Sequence, residues 1–140
     1  MVRHTFHKSE RLCSKKLIEA LFEGGHKSMS AYPIRAVFMP VDEQADGVPA
    51  VQLLISVSKR RFKHAVDRNR VKRQLREAYR LNKDILLSRL PEGEHLAVAF
   101  VWLSSEHFPT DVITAKVQKL LYRIAEEHAM AGRYGADVEG

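Results

Sequence analysis

Cysteine is almost missing from this sequence. Cys13 stands alone, so no internal disulfide can form, and no Cys/His set has the spacing of a zinc site. Long apolar runs are missing too. None approaches the ~18 residues of a membrane-spanning helix, and the opening Met1-Val2-Arg3-His4-Thr5-Phe6-His7 lacks the apolar stretch of a secretion signal. These absences point to a cytoplasmic protein. Repeats and low-complexity linkers are also lacking. The carboxylate cluster or shared-face His pair that a self-sufficient nuclease would need is not visible. Of the histidines, only His4 and His7 lie close together; His26, His64, His95, His107 and His128 read as ordinary surface or core residues. Asp42, Glu43 and Asp46 read as a solvated loop rather than a cation cage. Cys13 reads as an inert thiol, and Trp102, set in an apolar run, as core.

What remains is enough for one domain. The chain has 140 residues, 45% of them hydrophobic and 29% charged, so a core can form and wholesale disorder is excluded. The pattern assigns residues 1–131 to the domain and 132–140 to a flexible tail. A helix is expected over 14–23, capped by Ser14 and stopped by Gly24-Gly25, with Leu17, Ile18, Leu21 and Phe22 on one face. Strands are expected over 34–39 and 51–58, separated by a polar loop, and Pro33 suits the entry to the first of them. A basic connection leads to a helix over 67–82, and residues 84–90 either extend it or form a separate turn. A third strand over 96–103 is apolar at nearly every position, as in a strand covered on both faces. Pro109-Thr110-Asp111 opens a last helix with Ile113, Val117, Leu120, Leu121 and Ile124 on one side. The order αββαβα implies an α/β (α+β two-layer) fold, a small sheet packed with three helices. Two strands flank the basic helix as a candidate crossover, right-handed by the general rule if those strands are parallel neighbours.

Charge is the most uneven property. Residues 59–83 hold eleven basic and two acidic residues, a balance of +9; the rest hold twelve basic and fifteen acidic, a balance of −3. All the excess positive charge therefore sits in one segment, and a field that concentrated attracts a polyanion. With ~100° per residue and Arg68 at zero, Val71, Leu75, Ala78 and Tyr79 share the arc from about 280° to about 20°, the buried face. Asn69, Lys72, Arg73, Arg76 and Arg80 fall on the adjoining arc, from about 40° to about 140°, where there is no acid. A merely solvated face intersperses Glu with Lys, because like charges repel by roughly a few tenths of a kcal/mol per pair. Guanidinium groups fork onto phosphates and stack on bases, and Asn69 can donate and accept at once. A membrane-surface helix would carry a second, exposed apolar face. A DNA reader would need a companion helix that is not apparent. RNA is the partner that fits, through a helix and an adjacent sheet surface.

The residues that carry this charge also carry a resemblance. Ile55-Ser56-Val57-Ser58-Lys59-Arg60, followed by Ala65-Val66-Asp67-Arg68-Asn69-Arg70-Val71-Lys72-Arg73-Gln74-Leu75-Arg76-Glu77-Ala78-Tyr79-Arg80, closely resembles the signature of the bacterial ribonuclease P protein component. In that family a strand ending Ser-Val-Ser-Lys leads to an Ala-Val-x-Arg-Asn-Arg-x-Lys-Arg helix. The resemblance implies about four strands with three helices and a left-handed crossover. It implies an accessory subunit in the 5′-end maturation of transfer RNA, with catalysis by a large RNA subunit and Mg²⁺ held mainly by that RNA. The implied partners are ribonuclease P RNA and precursor transfer RNA, with neither membrane nor DNA. Carried over, Arg68, Asn69, Arg70, Lys72, Arg73 and Arg76 face the RNA subunit, with Arg80 on the same stripe and Lys59, Arg60 and Arg61 beside it. The 5′ leader of the precursor is implied to lie in a cleft between the first helix and the sheet. Where the family carries two Phe four apart on that helix, this chain has Leu17 and Leu21 with Phe22 adjacent, and Tyr32 and Phe38 are the aromatic substitutes. A purely RNA-binding protein of ribosomal or chaperone type, and a self-sufficient nuclease, are the competing classes.

Overall fold

The computed structural model describes residues 6–24, 27–42 and 47–139, with side chains to residue 130. His4, His26, Glu43 and Asp46 lie outside the described residues. A single 3-10 turn, Lys8–Glu10, precedes helix α1, Lys15–Glu23. Ser14 Oγ accepts from the Leu17 N–H at 3.3 Å at the start of α1, and Gly24, at φ 126°, ends it. Strands β1 (Lys27–Ala31) and β2 (Ile34–Val41) form a hairpin whose two-residue turn is Tyr32-Pro33, with a cis peptide bond. Strand β3 (Val51–Ser56) leads into helix α2 (Ala65–Asn82) and a short separate helix α3 (Asp84–Leu87). Strand β4 (His95–Trp102) and helix α4 (Thr110–Glu139) complete the chain. The backbone of α4 stays helical to Glu139, through the stretch that the sequence assigned to a tail.

The sheet order is β1-β2-β4-β3. Pairing is antiparallel between β1 and β2 and between β2 and β4, and parallel between β3 and β4. The two strands around the basic helix are thus parallel neighbours joined by a crossover. Strand β1 is the fourth strand, absent from the sequence pattern. Its Lys27-Ser28-Met29-Ser30 run has weak strand propensity, and only Met29 and Ala31 turn inward.

Strand alternation splits the core in two. On one face Ile34, Ala36, Phe38, Leu53, Leu96, Val98, Phe100 and Trp102 meet Val71, Leu75 and Tyr79 of α2 and Ile113, Val117, Leu120 and Ile124 of α4. On the other, Val37, Ala97 and Ala99 meet Leu12 and Leu21, with Leu17 and Ile18 beside them. Ala97 and Ala99 are small, which lets α1 sit close to the sheet. Helices therefore cover both faces, and α1 adds a partial third layer to the two expected. This explains the unbroken apolar run of β4: it is an inner strand with a helix over either side.

The uncovered edge of β3 is taken by the N-terminal segment. Arg11 bridges Leu53, the Leu12 N–H donates to the Leu53 carbonyl at 2.9 Å, and Gln52 Nε2 donates to the Ser9 carbonyl at 3.2 Å. Further along, Phe6 packs edge-on against Tyr79 at 5.7 Å, and Lys83 Nζ lies 3.0 and 2.9 Å from the two carboxylate oxygens of Glu10. Residues 6–12 are thereby fastened to both the sheet edge and the end of α2.

Candidate nucleic-acid interface

The buried face of α2 is the expected one: Val71, Leu75, Ala78 and Tyr79. Its two flanks differ. On the α4 flank, Gln74 Nε2 donates to the Phe108 carbonyl and Thr110 Oγ1, at 3.2 and 3.1 Å. On the same side Asp67 Oδ1 lies 3.0 Å from His107 Nε2, and the His107 ring stacks on Phe62 with centroids 4.7 Å apart. Asp67, one of the two acids in the basic segment, is thus held to His107 on the α4 side, and its partly exposed carboxylate also borders the outer surface of α2. His107 is a structural histidine in this arrangement.

The opposite flank carries Lys72 and Arg76, which face Arg11 of the N-terminal segment across a small groove. Asn69, Arg70 and Arg73 line the outer surface together with the exposed Val66 and with Asp67. Among the described residues, Arg11, Arg70, Lys72, Arg73 and Arg76 are in no ion pair. Burial, reinforced by the charges of Arg11 and then Arg73, lowers the Arg76 pKa, although the group stays cationic at neutral pH. The cluster is therefore electrostatically tense without a ligand. Arg11 escaped sequence reasoning because no periodicity links residue 11 to residues 72–76; only the pairing of residues 11 and 12 with β3 brings it there.

Two residues expected to face RNA, Arg68 by the family resemblance and Arg80 on the stripe, are engaged elsewhere. Arg68 sends Nη1 to the Phe62 and Lys63 carbonyls, at 2.8 and 3.0 Å. Its guanidinium thus holds the turn in which the Arg61 and Phe62 N–H groups donate to the Ser58 carbonyl. That turn presents Lys59 and Arg60 to solvent, with Arg61 half-buried. Arg80 is paired with Glu77, three residues earlier, so the stripe ends in a neutralised pair. The two are ~60° apart on the helix, close enough to meet. The Glu77 hydrogen bond raises the Arg80 pKa, and the same contact lowers that of Glu77.

The leader-cleft expectations divide similarly. Leu21 is 0% exposed and sits beneath α1, and Phe38 is 1% exposed in the core on the opposite face of the sheet, so neither can meet a ligand on the α1 face. Strand alternation is the reason for Phe38: even-numbered residues of β2 turn toward α2 and α4. Tyr32 is 60% exposed, at the hairpin turn, edge-on to Phe108 at 6.2 Å. Leu17 is half-buried. The accessible pair four apart on α1 is instead Ile18, half-buried, and Phe22, 44% exposed. Beyond α1 the register lines up Ser30, Arg35, Val101 and Ser56 across all four strands. This row remains exposed or half-buried, an open strip of sheet with Arg35 Nε bonded to Ser28 Oγ at 2.9 Å.

A family model described as ribonuclease P matches residues 6–125. The chain belongs to the bacterial ribonuclease P protein family. The ribonuclease P protein component of Porphyromonas gingivalis is 42% identical over 119 residues, covering 84% of this chain and 85% of that protein. The component from Chlorobium phaeobacteroides is 33% identical over 129 residues, with 86% and 88% covered. In three dimensions the ribonuclease P protein of Thermotoga maritima superposes with a TM-score of 0.61 at 24% identity, over 81% of this chain and 96% of that one. The Staphylococcus aureus ribonuclease P protein gives 0.59 at 20% identity, over 84% and 96%. These structural likenesses support the ribonuclease P protein fold. No described helix is long and apolar enough to cross a membrane.

Proposed function

We propose that this chain is the subunit that binds the ribonuclease P RNA through the free flank of α2 and the 5′ leader of precursor transfer RNA on the α1 face of its sheet. The RNA carries the catalysis, and its phosphates hold most of the Mg²⁺. The observation that supports this best is the cationic group Arg70, Lys72, Arg73 and Arg76, joined by Arg11, in which no member is in an ion pair among the described residues and the neighbouring Asp67 is bonded to His107 instead. Electrostatic tension of this kind is relieved by a phosphate backbone. Arg68 is left out of direct contact in this reading and acts by holding the Lys59-Arg60 turn. Arg80 stands at the margin. The leader surface comprises Ile18, Phe22 and the strip from Ser30 to Ser56, with Phe22 as the aromatic platform.

The test is reconstitution. Purified protein added to the ribonuclease P RNA of the same organism at low Mg²⁺ should restore 5′ processing of precursor transfer RNA. The joint variant Arg73→Ala/Arg76→Ala should lose most of that stimulation, and its log affinity against log salt should flatten by about 0.7–0.9 per lost phosphate contact. Site-specific cleavage by RNA-free protein, or an unchanged salt slope in the variant, would count against the proposal.

A further inference from the structure

The groove between the N-terminal segment and α2 has properties of its own. Phe6, Arg11 and Cys13 form one wall, Lys72 and Arg76 the other, and β3 from Leu53 to Ile55 the floor; the groove is open to solvent and its volume is about 170 Å³. That is below the ~300–1,000 Å³ of sites for drug-sized ligands, so it suits one small unit. The cations come from regions far apart in the chain and converge without a carboxylate among the described residues. Next to them lies apolar surface: Leu54 and Ile55 are half-buried, and the Phe6 ring sits 5.9 Å beneath the Arg11 guanidinium. A ligand matching both halves has an anionic group joined to a flat apolar body. An acidic peptide adding as a strand is disfavoured, because the N-terminal segment already pairs with the edge of β3 at Leu53.

We infer that this groove is a single-nucleotide site, with one phosphate held between Arg11, Lys72 and Arg76 and its base laid against Ile55 and Phe6. The inference rests on the RNA-binding reading above and extends it to a residue outside the family signature, Arg11. The nucleotide can come from the ribonuclease P RNA or from a precursor leader; the chemistry is the same.

Cys13 reports on the site directly. It is exposed, lines the groove and is the sole thiol of the chain. Its alkylation by iodoacetamide can be timed in the full-length protein alone, with ribonuclease P RNA, with leader-bearing precursor and with leaderless transfer RNA. RNA retention on filters is measured in parallel. Alkylation should slow by about tenfold with the RNA that fills the groove, and the arm that protects identifies the source. Arg11→Gln should abolish that protection and weaken retention of the same RNA by about tenfold, the scale of a charge-assisted hydrogen bond. Lys72→Gln should behave alike, guarding against a folding defect peculiar to residue 11. Retained RNA with unchanged Cys13 alkylation and no effect of Arg11→Gln would overturn the inference and leave the α2 interface standing. Equal protection by polyglutamate would also overturn it, showing a diffuse polyanion surface. Failure to retain any RNA would remove both.

Discussion

Lys83→Met should destabilise the protein far more than removal of a surface charge. The Lys83–Glu10 pair has both side chains 10% exposed, with two Nζ–oxygen distances near 3 Å, and the Glu10 carboxylate also accepts from the His7 N–H at 3.1 Å. Removing the ammonium strands a carboxylate in a nearly dry site, which typically costs ~3–5 kcal/mol. The remaining His7 donor places the expected loss at the lower end, about 3 kcal/mol. For a domain of this size that corresponds to a fall in Tm of about 6–12 °C. Glu10→Leu combined with Lys83→Met should recover most of the loss, because no charge then stays buried and the pair's own net contribution is small. Trp102, the only tryptophan and 1% exposed, supplies the assay, since its fluorescence shifts to longer wavelength as urea unfolds the core. A single-variant cost below about 1 kcal/mol, or a double variant as unstable as the two single losses added together, would refute the reasoning.

Arg68→Ala should speed amide exchange at Arg61 and Phe62 in RNA-free protein, because the turn loses two carbonyl contacts; its effect on RNA affinity should be less than additive with Arg60→Ala, and full additivity with unchanged exchange would make Arg68 a direct ligand. Phe22→Ala should lower affinity for long-leader precursors by the equivalent of ~1–3 kcal/mol per stacked base and leave leaderless transfer RNA unaffected; a fluorescence titration of both RNAs decides. Burial, with a smaller contribution from Glu10, raises the Tyr79 pKa well above its usual value near 10. The folded form therefore stays protonated where the unfolded chain ionises, and this contribution to stability is complete below about pH 10 and is lost as pH climbs toward the folded value. Tyr79→Phe should make the decline in Tm between about pH 10 and 11.5 shallower; thermal melts across that range measure it.

Elements with strong period were legible from the chain alone. Helix α1 with its Ser14 cap, the core face of α2, and β4 as a doubly covered strand follow from local chemistry that tertiary packing only reinforces. Strand β1 was not legible, because an edge strand rich in serine owes its form to pairing with β2 rather than to propensity. The site was readable to the same degree. Periodicity located the cationic flank, since helical geometry fixes which side chains share an arc. It could not show that Arg68 bends back onto the Phe62 and Lys63 carbonyls, because the arc specifies direction and not partner. Nor could it place Leu21 and Phe38 inside, as that depends on which face of the sheet α1 covers. Arg11 lay beyond any local pattern.

The strand order has a cost during synthesis. Strand β4 pairs with both β2 and β3, yet it is the last strand to leave the ribosome. Until about residue 102 has emerged, the hairpin and β3 each present a bare edge toward a gap that nothing earlier in the chain can fill. The nascent protein therefore passes through a stage in which its sheet lacks its middle. In that window hydrophobic strand edges are open to pairing with other chains.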